Sequence, residues 1–392
     1  MKRMYLLMGV AVTLVALLVA GCAGGGGGGG GKQKITLDFA TFWPSGDFQP
    51  TYGEGRWMDT LVSLVSTRNA TKDKYELEFN KVYSIAPASL WSGVQGGTYD
   101  VITSGPGYSA GTMVLWEGTE LGGNLTRKNA LTMSMSLKAV YYDANTTALR
   151  AQVAAVGVTP MYWWSVGPGY FLMTEGNNVS TLESMGALDK PIRAATLGSV
   201  TTITALGAEP LYCAMSAALE KFQQGLLAGI LCPTDTPEGF GLAAYVRSGT
   251  FCPVSYGFVF MNVMNTATWN SLPAEIQAIF TEVNDKWTEY NGKLRTWGEW
   301  HGLKYCYDNI AGFYLYDLPT ENPTEYQRWV DACTPLMGNW VNAGSSETDK
   351  ANRQWVITRL AQYDEYYATT DPWASWNLTP GETPPPAPTF PP

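Results

Sequence analysis

The sequence predicts an α/β protein of two lobes, each built on a doubly wound sheet, with a long helix lying across both. Three observations carry this. A β-α-β-α-β alternation runs from Lys34 to Ser104, and a similar series starts near Val156 without repeating the sequence. The stretch from Lys32 to Trp376 exceeds the roughly 250–300 residues that one hydrophobic core serves. After Pro273, a single apolar stripe at helical spacing extends over about 30 residues, far beyond the usual globular helix.

Ile35, Leu37 and Phe39 alternate with polar residues as a first strand, which the Trp43-Pro44-Ser45-Gly46 turn ends. Trp57, Leu61, Leu64 and Val65 recur at helical spacing, and Tyr75, Leu77 and Phe79 alternate as a second strand. A helix over 86–95 and a short buried strand over 100–104 follow, closed by Gly105-Pro106-Gly107-Tyr108. In the second series, strands are expected at 156–162, 170–173, 191–193, 210–212 and 229–231, with helices at 199–206 and 216–224. Val254 to Val263 reads as one long apolar strand. The stripe of Ile276, Phe280, Val283, Trp287, Tyr290, Leu294 and Trp297 reads as packing, with Gly292, Gly298 and Gly302 as weak points in that helix. Lobe I is expected from residues 34–155 and about 254–295, lobe II from 156–253 and about 296–345, with a helical segment over 346–376.

The two ends carry different signals. Lys2 and Arg3, an apolar run from Met4 to Ala20, and small residues before Cys22 read as a signal peptide whose end resembles the lipobox of bacterial lipoproteins, where the thiol takes a diacylglycerol. The apolar run falls short of the roughly 20 residues that a bilayer span needs. Residues 22–33, dominated by Gly24 to Gly31, form a flexible tether. Residues 377–392 are too rich in proline for helix or sheet and are expected as a disordered, partly polyproline II tail. The chain is therefore expected to work outside the cytoplasm, lipid-anchored to a membrane.

The formal charge is -9, and removal of Lys2 and Arg3 with the leader makes it more negative still, which argues against nucleic acid as a partner. A buried arginine in a low-dielectric cleft can nevertheless hold an anion. The single histidine, His301, leaves no room for the usual zinc sites, and a Ser-His-Asp triad would have to use it. No cofactor, metal or catalytic site is expected. Cys213, Cys232, Cys252, Cys306 and Cys333 follow the lipobox; Cys232 with Cys252, or Cys306 with Cys333, are possible pairs, and the spacing leaves the question open.

Four stretches carry a family resemblance: Gly93-Val94-Gln95-Gly96-Gly97-Thr98-Tyr99-Asp100; Gly167-Pro168-Gly169; Pro191-Ile192-Arg193 with Leu206-Gly207-Ala208-Glu209-Pro210; and Leu219 to Gly229. Trp269-Asn270-Ser271-Leu272-Pro273 then introduces the long helix. In order and spacing the chain resembles the solute-binding component of a tripartite ATP-independent periplasmic (TRAP) transporter, over residues 35 to about 340. The resemblance implies a periplasmic-binding-protein-like fold, two α/β lobes joined by hinge segments and closing over an organic anion, with membrane permease subunits as partners. It also implies that Arg193 is the carboxylate anchor. A guanidinium presents a planar fork of donors, and Thr196 stands where a helix start could add amides.

Cys232 stands where many relatives offer an amide, and Tyr170 and Phe171 where some place a second arginine. A second carboxylate would lose partners here; an apolar or aromatic monocarboxylate would not. Trp43, Trp91, Tyr108, Trp164 and Tyr170 are candidate pocket walls, and Thr234 and Asp235 candidate polar contacts, although Asp235 would repel an anion unless paired. The expected protein is a monomer that binds a small organic carboxylate. The alternative is a carbohydrate-active or other hydrolytic surface lipoprotein, for which no acidic pair stands out.

Overall fold

The computed structural model describes residues 31–121, 129–369 and 383–391. The signal peptide, Cys22 and most of the glycine tether lie outside the described residues.

Eleven strands are described: β1 (Gln33–Thr41), β2 (Tyr75–Val82), β3 (Val101–Ser104), β4 (Val158–Ser165), β5 (Pro168–Met173), β6 (Ile192–Ala194), β7 (Pro210–Tyr212), β8 (Gly229–Cys232), β9 (Ser248–Tyr256), β10 (Val259–Asn265) and β11 (Tyr314–Asp317). They form two sheets, ordered β2-β1-β3-β10-β4 and β11-β9-β5-β8-β6-β7. Crossover helices make β1, β2 and β3 parallel, as they do β6, β7 and β8. By contrast, β10 runs antiparallel to β3 and β4, and β5 antiparallel to β8 and β9. Each lobe is thus a mixed sheet whose antiparallel members lead to or from the other lobe.

Two expectations about the lobes are corrected. The strand after Val156 belongs to the first sheet, because β4 pairs with β10, so the chain crosses at Val166-Gly167. The apolar run from Val254 to Val263 is two strands in different sheets, broken at Gly257. Gly167 and Gly257 adopt φ of 78° and 91°, a region that a Cβ disfavours, and this lets the chain turn from one sheet to the other.

The long helix spans Ala274–Asn309 and begins after Pro273. The expected stripe is buried, but so is a second file of polar and small residues: Thr288, Asn291, Gly292, Arg295, Glu299 and Gly302. Near its start the helix packs on the first lobe, where the Trp57 indole donates to Asn284 (2.9 Å) and the Trp287 indole to the Gly53 carbonyl (3.0 Å). Its glycines are close-approach points, not weak ones. A Cβ on Gly302 would lie 2.3 Å from the backbone of Asp235, and one on Gly292 2.8 Å from Leu131 Cα.

Side-chain alternation along β5 separates two cores. Phe171 and Met173 join the apolar cluster that runs through the first lobe, whereas Tyr170 and Leu172 face a second cluster with Phe222, Ile230 and Leu242. All five described cysteines are free thiols, so neither possible disulfide forms.

The tail is corrected in part. Residues 383–391 lie against the first lobe, with Arg56 donating to the Pro385 carbonyl (2.8 Å), Lys286 to that of Thr389 (3.2 Å) and Arg68 to that of Pro391 (3.1 Å). Lys286 also sits 4.6 Å from the Phe390 ring centroid. An extended proline-rich segment has no internal hydrogen bonds, so these cations satisfy its carbonyls. The rest of the expected tail lies outside the described residues.

Candidate functional site

Arg193 stands in β6, between β7 and β8, and is fully buried. Its Nε donates to the Cys213 carbonyl at 3.0 Å. The chain then passes Thr196, which caps the helix Leu197–Ala205 in a reciprocal box with Ser199. Thr196 Oγ1 accepts from the Ser199 amide at 3.2 Å, so this hydroxyl serves the helix start. The helix begins beside the first lobe: a Cβ on Gly198 would lie 2.8 Å from the Glu120 carbonyl oxygen, and one on Gly107 2.7 Å from Thr196.

Tyr108, in the loop after β3, bridges from this arginine to an aromatic cavity. Burial pushes its hydroxyl up to about 12, while the charge and hydrogen bond of Arg193 pull the other way. The cavity is about 30 Å³ and is lined by Phe42, Trp43, Tyr108, Met215, Phe240, Phe260 and Arg295, among others. Its walls come from both lobes and the long helix. Phe260 stacks on Trp164 with centroids 4.2 Å apart and lies 4.9 Å from Trp43, so Trp164 backs the wall that Trp43 and Phe260 present.

The remaining expected residues divide by what they touch. Trp91 is core, its indole donating to the Gly105 carbonyl at 3.1 Å, and it supports the loop that carries Tyr108. Tyr170 donates to Glu299 Oε1 at 2.5 Å and does not line the cavity. Cys232, opposite Tyr170 in the β5–β8 pair, is fully buried, and burial raises its thiol to about 12. Thr234 donates to the Glu299 carbonyl at 2.5 Å and so fastens the loop after β8 to the long helix. Asp235 does line the cavity, and it is paired: both carboxylate oxygens accept from Arg295 Nη2 at 3.0 Å.

Arg295 went unrecognised in the sequence, as did Phe42, Met215, Phe240 and Phe260. It is 2% exposed and packs against Phe48 and Trp164, with Cζ 4.8 and 5.3 Å from their centroids. Buried acids surround this pair. Desolvation raises Asp47 to about 7, with the Asp235 charge adding to it, and raises Glu299 to about 7 and Glu54 to about 8. The available signal was the second buried file of the long helix, in which Arg295 and Glu299 stand four residues apart.

A second and much larger pocket, about 570 Å³, shares Asp235 and is lined by Asp47, Glu238, Trp297, His301 and the tail residues Thr383 and Pro384. His301 stacks on Trp297 and approaches Glu238 at 3.1 Å. Its carboxylates make it a poor site for an anion. Among the described residues no group of three or more His, Cys, Asp or Glu could hold a metal, and no helix is long and apolar enough to cross a membrane.

Two mixed α/β sheets, two crossings between them, a helix across both and a buried arginine beside an interlobe cavity define a two-lobed solute-binding protein. Residues 91–342 match the family model of bacterial extracellular solute-binding proteins, family 7, and the chain belongs to that family. It is a transport component that works outside the cytoplasm, and the hydrolytic alternative finds no support. No curated protein matches the sequence.

Solved structures similar to this chain include three TRAP solute-binding proteins. One, from Rhodoferax ferrireducens in complex with copurified benzoate, has a TM-score of 0.74 and 18% identity, covering 86% of this chain and 99% of that one. One from a marine metagenome, described as specific for aromatic acid ligands and holding metahydroxyphenylacetate, has a TM-score of 0.72 and 18% identity, covering 85% and 99%. A third, from Bordetella bronchiseptica with bound (R)- and (S)-mandelate, has a TM-score of 0.71 and 17% identity, again covering 85% and 99%. At these identities the likeness shows a shared fold.

Proposed function

We propose that this chain captures an organic monocarboxylate with an apolar or aromatic body and delivers it to the membrane subunits of a TRAP-type transporter. Arg193 holds the carboxylate, and the body lies among Trp43, Phe42, Phe240 and Phe260. The observation that carries this reading is the placement of a buried guanidinium against Tyr108, itself a wall of an aromatic interlobe cavity. The three similar structures, with benzoate, a hydroxyphenylacetate and mandelate, agree in ligand chemistry.

A cavity of 30 Å³ is well below the roughly 150 Å³ that accommodates a benzene ring. Ligand entry therefore requires the lobes to part, with the crossings at Gly167 and Gly257 as the hinges. On this reading the lobes comprise residues 34–166 with 258–295, and 167–257 with 296–345.

The chain acts as a monomer held to a membrane by lipid on Cys22, and Gly24 to Gly31 form the leash that raises its local concentration at the permease. Replacing Cys22 with Ser should move the protein from the membrane to the soluble fraction; retention on the membrane would refute the anchor.

The ligand is tested by releasing small acids from the purified protein and identifying them by mass spectrometry, followed by titration. One aromatic or apolar monocarboxylate bound per chain supports the reading. Tight binding of only a sugar or a polyhydroxylated acid sinks it.

A further inference from the structure

We propose that Arg295 is a second, charge-neutralised recognition residue, which selects aromatic monocarboxylates bearing an additional uncharged oxygen, a hydroxyl or a keto group. The inference rests on the reading of Arg193 as carboxylate anchor and adds a requirement on the far part of the ligand.

A guanidinium has five N–H donors, and Arg295 commits Nη2 to both oxygens of Asp235. Its Nε and Nη1 are buried without a hydrogen-bond partner among the described residues. Buried donors left unmet are costly, and a charged group is the most expensive to leave so. Arg295 lines the aromatic cavity, and a ligand oxygen bound there would supply the acceptor that these donors lack. The packing of the guanidinium against Phe48 and Trp164 fixes its position, so an acceptor meets a preorganised donor.

Charge decides which acceptor fits. Asp235 already balances Arg295 at 3.0 Å, and further carboxyl groups, Asp47 and Glu299, stand around the pair. A second ligand carboxylate would enter a site whose positive charge is spent and would face repulsion. A hydroxyl or carbonyl oxygen takes the donors without adding charge. The arrangement thus discriminates by charge at one end of the cleft what Arg193 demands at the other.

The test titrates benzoate, the three monohydroxybenzoates, mandelate and isophthalate into the wild type, Asp235→Asn, and the paired variant Arg295→Met/Asp235→Leu. In the wild type at least one hydroxy acid should bind about tenfold or more tighter than benzoate, the gain expected of a hydrogen bond to a charged group. Isophthalate should bind more weakly than benzoate. In Asp235→Asn the arginine keeps its full charge, and isophthalate should gain about tenfold or more relative to benzoate. In the paired variant the preference for a hydroxy acid should collapse to about twofold or less.

Benzoate binding to the wild type, and its loss in Arg193→Ala, report separately on the underlying reading. With benzoate bound, the inference is overturned if no hydroxy acid outbinds it, if isophthalate gains nothing in Asp235→Asn, or if the preference survives in the paired variant. Circular dichroism establishes that each variant is folded; should the paired variant unfold, the wild-type and Asp235→Asn titrations decide the matter.

Discussion

Arg193 and Arg295 are both buried at the junction of the lobes, but in different company. Arg193 sits in a strand of the second sheet, tied through Nε to a backbone carbonyl and set against the Tyr108 hydroxyl, on which the buried carboxyl of Glu120 also acts. Arg295 sits on the helix that crosses both lobes, clamped by a carboxylate and packed against two aromatic rings. On the proposed reading, this contrast lets one cleft treat the two ends of a small acid differently. A guanidinium already matched by a carboxylate has little charge left for an anion and offers hydrogen bonds instead.

The largest expected effect breaks one side of this comparison. Arg193→Ala should cost about 2–5 kcal/mol of monocarboxylate affinity, measured by calorimetric titration. Arg193→Lys should recover only part of that loss, since an ammonium lacks the planar fork.

Gly302→Ala disturbs the other side. Helix propensity alone would make this change stabilising by about 1 kcal/mol. A Cβ 2.3 Å from the Asp235 backbone must instead push the loop away from the helix, so the variant should lose about 1–3 kcal/mol in a denaturant titration. A gain in stability would show that Gly302 is only a weak point of the helix after all.

The acids near Arg295 give a pH test. Glu54 is held protonated up to about pH 8 in the fold, against roughly 4 in the unfolded chain. The folded state thus retains a proton that the unfolded state releases, and this contribution is full below about pH 4 and is lost as pH rises towards 8. Asp47 and Glu299, both at about 7, act in the same direction. Glu54→Gln, which imitates the neutral acid, should exceed the wild type in melting temperature far more at pH 8 than at pH 5. An equal difference at both pH values would rule out this titration.

The smallest effect leaves both arginines alone. Removing residues 383–392 deletes the carbonyls held by Arg56, Lys286 and Arg68, and should cost about 1 kcal/mol of stability. Titration with benzoate should show little change in affinity. A large loss of affinity would tie the tail to closure of the lobes through the pocket that Thr383 and Pro384 line.

Much of the fold was legible because its signals are local. The alternation of Ile35, Leu37 and Phe39, the stripe from Ile276 to Trp297, and the helix start after Arg193 each correspond to an observed element. The lobe boundaries were less legible, because β4 reads as the start of a second series but pairs with β10, a strand about a hundred residues away. An apolar run does not announce which sheet it joins, and the glycine that divides Val254 to Val263 looks like any other turn residue. At the site, the structure sets Trp43, Tyr108 and Asp235 around one cavity and uses Trp91, Tyr170, Thr196, Cys232 and Thr234 in supporting contacts. Arg295 was hidden by its position in a helix whose apolar stripe explained the sequence without it. Its partner, Asp235, is nonetheless the acid that the sequence allowed near an anion only if paired.

The account is tested most directly by a crystal structure of the protein with benzoate. It predicts the carboxylate within about 2.7–2.9 Å of the Arg193 guanidinium, the range of charge-assisted hydrogen bonds, with the ring among Trp43, Phe42, Phe240 and Phe260. A carboxylate bound instead to Arg295, or a benzoate in the larger pocket beside His301, would contradict it.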